Sequence, residues 1–143
     1  MTTAEWSEQT EVENRLIEQL TGLGYAYAYG PELDNERESI RDVVLKPRLE
    51  AAIRRLNPWL DDTNLHKVIR SVTHIDGKDL LEANEVFHTN LVNYLSISQD
   101  LGKGKKNQTV KLIDFDDADN NEFLAVNQFK VSGTPDNIIP DLI

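Results

Sequence analysis

Three short apolar runs separated by polar breaks fill the stretch from Val110 to Ile143, and they restrict the chain to folds that contain a sheet. Val110-Lys111-Leu112-Ile113-Asp114-Phe115 has strand composition, as does Phe123-Leu124-Ala125-Val126-Asn127-Gln128-Phe129-Lys130-Val131. Runs of this length, rich in β-branched and aromatic residues and bounded by Asp, Asn and Gly, read as strands. A third run begins at Ile138-Ile139 and is still apolar at Leu142-Ile143. Asp141 interrupts it directly after Pro140. A carboxylate among aliphatic neighbours is expected to need a partner, a cation or a metal.

Upstream the pattern is mostly helical. Val12, Leu16, Ile17, Leu20 and Leu23 share one face of a helix predicted over 10–23. Ser7 or Thr10 can cap it, Glu11 and Glu13 suit its first turn, and Gly22 and Gly24 end it. Tyr25-Ala26-Tyr27-Ala28-Tyr29 alternates aromatic and small residues, which predicts an edge strand with three Tyr rings on one face. A base-stacking platform is the alternative use of those rings. Gly30-Pro31 stops the strand, and the charged stretch 34–41 predicts a loop or an exposed helix start.

Pro47 opens a helix with Leu49, Ile53 and Leu56 as its apolar face. Arg48, Arg54 and Arg55 are expected on its solvated side, within reach of Glu50. Asn57-Pro58 breaks it, and Trp59 supplies a core contact. Asp61 or Thr63 starts a helix through Thr73, with Leu65, Val68, Ile69 and Val72 inward. A third helix, 80–94, takes Leu80, Leu81, Val86, Phe87, Leu91 and Tyr94 as its apolar set. The stretch 99–108 reads as a flexible connection or hairpin. There is no internal repeat and no sign of a second domain, so the pattern is α/β with a mixed or antiparallel sheet.

The absence of Cys removes disulfides and thiolate metal sites and fits a cytoplasmic setting. The opening residues lack the basic and apolar regions of a signal peptide, and no run is long enough to span a membrane. A net charge of −10 and a pI near 4.7 argue against a self-sufficient nucleic-acid binder. Metal-dependent nucleases nonetheless require clustered carboxylates.

Several motifs fail on spacing. The acidic run Asp114, Asp116, Asp117, Asp119 and Glu122 places Ala118 and Asp119 where a calcium loop needs an oxygen ligand and a Gly. Gly102-Lys103-Gly104-Lys105 lacks the spacing of a phosphate loop. His66, His74 and His88 show no metal-ligand spacing.

In their order, EVENRLIEQLTGLGY, RLNPWL, LLEANEVFHTNL, IDF, NNEFLAVNQFKV and NIIPDLI resemble the N-terminal nuclease domain of the R (restriction and translocation) subunit of type I restriction enzymes. The resemblance covers most of the chain. It implies a restriction-endonuclease-like core of the PD-(D/E)xK type, truncated here, with a helical insertion at about 46–95. It makes Asp141, in the Pro-Asp pair, a catalytic residue and a ligand of Mg2+. Glu13 matches an acidic residue that faces the nuclease site from the first helix; read from the residues alone, Glu13 and Glu11 are ordinary first-turn acids. Gln128 and Lys130 are DNA-contact candidates, with the amides of Asn127 and Gln128 equally suited to bracing the site. Asn84 is expected to cap or brace a neighbouring loop.

The (D/E)xK half of the motif does not occur before the sequence ends, so these residues are expected to be inactive alone. The resemblance further implies a parent protein that cuts unmodified DNA, carries an ATP-driven motor outside these residues, and assembles with modification and specificity subunits. The competing expectation is a stand-alone acidic α/β interaction module without catalysis. The coding sequence after Ile143 separates the two.

Overall fold

A computed structural model describes residues 9–133 and 135–143. In chain order a π-helical turn (Gln9–Glu13) leads into α1 (Asn14–Gly22), β1 (Ala26–Tyr29), a 3-10 stretch (Gly30–Glu36), α2 (Lys46–Leu56), α3 (Asp62–Thr73), α4 (Leu80–Asn93), β2 (Leu95–Asp100), β3 (Lys105–Val110), a short 3-10 turn (Ala118–Asn120) and β4 (Leu124–Asn127). The fold is mixed α/β. The chain forms two compact units, one from the residues up to Leu45 together with Glu122–Ile143, the other from Lys46–Asn121. No helix among the described residues is long and apolar enough to cross a membrane.

In the first unit α1 ends as its glycines predict. Gly24 takes φ +98°, and the Tyr25 N–H reaches back to the Leu20 carbonyl at 3.0 Å, closing the last turn. Of the predicted apolar face, Ile17 is buried, whereas Val12, Leu16 and Leu23 are exposed. Ser7, one of the two predicted caps, lies outside the described residues.

β1 pairs in parallel with β4, from Ala26 opposite Leu124 to Tyr29 opposite Asn127. Leu33, Val126 and Phe129 form the core beneath, with Ala28, Leu45, Leu124 and Val131 against it. The Tyr25 ring meets Phe123 at 5.4 Å. β4 is shorter than the predicted strand 123–131, because Gln128 adopts φ +54° and turns the chain out of the ladder. Gly30 makes room there: a Cβ on it would lie 2.6 Å from the Asn127 carbonyl oxygen and closer still to that of Gln128.

Beyond the kink the third apolar run lies antiparallel to β4. Val126 and Ile143 exchange two backbone hydrogen bonds of 2.8 Å, and Val131 and Ile138 exchange another pair. The sheet is therefore mixed. The charged stretch 34–41 departs from expectation, because Arg37 is buried. Its guanidinium lies 4.2 Å over the Phe129 ring, donates to the carbonyls of Asp42 and Lys130, and pairs with Asp34. Two carbonyls, the Asp34 carboxylate and a ring face partner the charge, while its buried Nε has no hydrogen-bond partner among the described residues.

In the second unit Ile53, Leu65, Val68 and Val110 form the core, with Leu49, Trp59, Leu60 and Ile69 among the residues packed on it. Asp61 caps α3, accepting the Asn64 N–H at 2.7 Å. Arg54 pairs with Glu50 and Asp62, and Arg55 donates to the Asn120 carbonyl. α4 departs from expectation. Leu80, Leu81, Val86 and Phe87 are exposed, and no α4 residue is buried. Successive helical residues project about 100° apart, so the adjacent apolar pairs spread around the helix instead of forming one stripe. Asn84 is exposed, and α4 is capped by Asp79, which accepts the Glu82 N–H at 2.9 Å.

The predicted strand 110–115 is displaced upstream. β2 and β3 form an antiparallel hairpin from Leu95 opposite Val110 to Asp100 opposite Lys105, and the chain leaves the ladder after Val110. The Asn57 side chain accepts from the Lys111 N–H and donates to its carbonyl, both at 2.8 Å, standing in for a neighbouring strand. Gly102 and Gly104 turn the hairpin at positive φ, and both their N–H groups donate to Asp100 Oδ1. Those donors are thus committed within the turn, which is a second reason it is no phosphate loop.

The acidic run folds around Asp114. Its carboxylate accepts from Asn120 Nδ2 at 2.9 Å and from the N–H groups of Asp116 and Asp117 at 3.0 Å. The Asn120 bond, then the Asp117 N–H, hold its pKa below the usual aspartate value. The folded state thus favours the carboxylate, and the sign follows. The stabilisation is complete above the ordinary aspartate value of about 3.9 and is lost as pH falls through the lower folded value. Asp114→Asn is expected to flatten the acid-side loss of stability, read as urea midpoints between about pH 6 and pH 3. An equally steep loss in the variant would refute this role.

Candidate active site

Glu13 is the last residue of the π-helical turn that leads into α1. The wider turn precedes α1, and single π turns are frequent at functional sites. Glu13 is buried, at 6% exposure, and so is not the solvated first-turn acid that local sequence describes. Glu11 is that kind of residue, paired with Arg15 at 3.1 Å one helical turn away.

The partners of Glu13 come from the end of β4. Asn127 Nδ2 donates to Oε1 at 2.7 Å, and Gln128 Nε2 lies 3.3 Å from each carboxylate oxygen. The φ +54° kink at Gln128 lets two consecutive side chains reach the same carboxylate, which alternation along a regular strand would forbid. Asn127 is itself held, its Oδ1 accepting from the Tyr27 hydroxyl at 2.8 Å.

Asp141 arrives from the segment paired with β4, where its carbonyl accepts the Gln128 N–H at 3.4 Å. Its side chain is exposed, as are Ile139 and Ile143 beside it. The expectation that apolar neighbours would strand this carboxylate is therefore corrected, since water reaches it. A cavity of about 350 Å3 brings the acids together, lined by Val12, Glu13, Leu16, Asp141 and Leu142. The lining carries two carboxylates and no cation. Among the described residues no three His, Cys, Asp or Glu side chains cluster as a metal site. Mg2+ needs no such cluster, because it commonly takes one or two carboxylates and fills its octahedron with water and substrate phosphate oxygens.

Of the two DNA-contact candidates, Gln128 turns its amide toward Glu13, whereas Lys130 is exposed and uses its backbone carbonyl to hold Arg37. Sequence reasoning missed the link from Tyr27 to Asn127 and the burial of Arg37. The Tyr alternation was the one available hint of a polar use for Tyr27, and Arg37 carried no local signal.

The family described as "Type I restriction enzyme R protein N terminus" matches residues 5–143. A putative type I restriction enzyme MjaIXP endonuclease subunit of Methanocaldococcus jannaschii is 43% identical over 131 residues, which cover 90% of this chain and 13% of that protein. The type I restriction enzyme HindI endonuclease subunit of Haemophilus influenzae is 31% identical over 141 residues, covering 94% of this chain and 13% of its own length. The chain thus spans about an eighth of the length of these relatives. No solved structure matches it.

Proposed function

Because the chain belongs to the family of type I restriction enzyme R protein N termini, we propose that it forms the N-terminal part of a nuclease domain that cuts DNA, with Glu13 and Asp141 as its acidic residues. The observation that carries this reading is the meeting of the two acids on one cavity, from opposite ends of the described sequence. The core would be restriction-endonuclease-like, with the helical segment at 46–95 as part of an insertion.

The two carboxylates with no cation in the cavity lining fit a divalent cation, and Mg2+ is the one proposed. When bound, Mg2+ supplies neutralisation of phosphate charge and activation of water. This chain's residues do the holding. Asn127 and Gln128 fix the Glu13 carboxylate, and the pairing of the last segment with β4 fixes the backbone of Asp141. Val12 and Leu16 supply apolar lining beside the acids. An acid-x-Lys on an adjoining strand would complete the set. ATP-driven translocation, assembly with modification and specificity subunits, and a cytoplasmic location are proposed for the whole subunit. A role in protein interaction draws on the exposed apolar residues of α4, Leu80, Leu81 and Phe87, and predicts no metal dependence.

The test is cleavage by the full-length subunit with its partner subunits. Cutting is expected to require Mg2+, to fall by about 10²-fold or more in Glu13→Gln, and to be absent from residues 1–143 alone. Cutting that survives chelation, or a Glu13→Gln subunit as active as its parent, would defeat the reading.

A further inference from the structure

We infer that Asn127 and Tyr27 are positioning residues that set the orientation in which Glu13 meets a divalent cation; this rests on the metal-site reading above. The Glu13 carboxylate is buried, and among the described residues it is bonded by amides and by no cation. Neutral donors orient a carboxylate without cancelling its charge, so the charge remains for an ion in the cavity.

The donors are unevenly shared. Oε1 accepts from Asn127 at 2.7 Å and from Gln128 at 3.3 Å, which uses both its lone-pair sites. Among the described residues Oε2 accepts only the 3.3 Å contact from Gln128. Oε2 therefore keeps accepting capacity, and it is the oxygen that would meet the cation.

The arrangement works only if the Asn127 amide faces one way. An Asn side chain presents a donor end and an acceptor end, and reversal would set its oxygen against the Glu13 carboxylate. The Tyr27 hydroxyl donates to Oδ1 at 2.8 Å and so locks the donor end onto Glu13. Parallel pairing of β1 with β4 keeps Tyr27 within two residues of the register partner of Asn127. Outer partners of this kind typically change metal affinity by about 10–100-fold when removed.

Mn2+ binding to the full-length subunit in the absence of nucleotide, followed by electron paramagnetic resonance, tests this, with urea unfolding as the control on the fold. Glu13→Gln and Asp141→Asn should abolish binding. Asn127→Ala should weaken it about 10–100-fold and Tyr27→Phe about tenfold, with Tyr29→Phe unchanged. Tyr27→Phe removes one hydroxyl from a partly exposed ring, so it decides the matter even if Asn127→Ala unfolds. If Glu13→Gln loses Mn2+ while Tyr27→Phe and folded Asn127→Ala bind as the parent does, the positioning role is wrong and the metal site stands. If Glu13→Gln binds Mn2+ normally, or the parent binds none, the metal site fails and the positioning role with it.

Discussion

Asp141→Ala in the full-length subunit is expected to lower Mg2+-dependent cutting by about 10²–10³-fold while leaving stability nearly unchanged. The two halves have separate causes. The side chain is exposed and its backbone makes the structural contact, a carbonyl accepting the Gln128 N–H. Exposed substitutions away from caps and networks usually fall within about 0.5 kcal/mol. A metal ligand, by contrast, would hold an ion that supplies several kcal/mol of charge stabilisation to phosphodiester cleavage, and about 1.4 kcal/mol is a tenfold rate. The measurement is the cleavage rate at saturating Mg2+ beside the urea midpoint. A variant that cuts at the parental rate would remove Asp141 from the chemistry. A variant that unfolds would assign it to the scaffold instead.

Leu65→Ala is expected to destabilise the second unit by about 3–5 kcal/mol. Leu65 is 0% exposed and sits in the same cluster as Ile53, Val68 and Val110. Truncation removes transfer free energy and leaves a cavity in the cluster with Ile53, Val68 and Val110, around which the surroundings relax only partly. Domains are stable by only about 5–15 kcal/mol, so the loss should shift the unfolding midpoint far to lower urea. Leu80→Ala is the contrast, since Leu80 is 77% exposed and its loss should be close to neutral. Urea titrations of both variants decide it, and a Leu65→Ala effect under about 1 kcal/mol would mean that this core relaxes around the gap.

Local chemistry was legible in the residues. Asp61 caps α3 as predicted, Pro47 lies in the first turn of α2, and Gly24 closes α1, because each is settled by hydrogen bonds within a few residues. The alternating Tyr stretch became β1, and the family pattern nominated Glu13 and Asp141, which share one cavity. Where strands pair was not legible. The ladder formed over 105–110 instead of 110–115, because the side chain of Asn57, remote in sequence, takes the backbone groups of Lys111. The burial of Arg37 was hidden for the same kind of reason, as its partners Phe129 and Lys130 lie across the unit.

The sequence by itself determined where the helices run and the Asp61 cap of α3, since those depend on residue type and near neighbours, and the family pattern nominated the two acids. The tertiary structure alone decided that Glu13 is a buried carboxylate held by Asn127 under Tyr27, since three side chains from three segments must meet before any of them has that role. A hydrogen bond at 2.7 Å between residues far apart in the chain is fixed by packing, and no window of local sequence contains both partners.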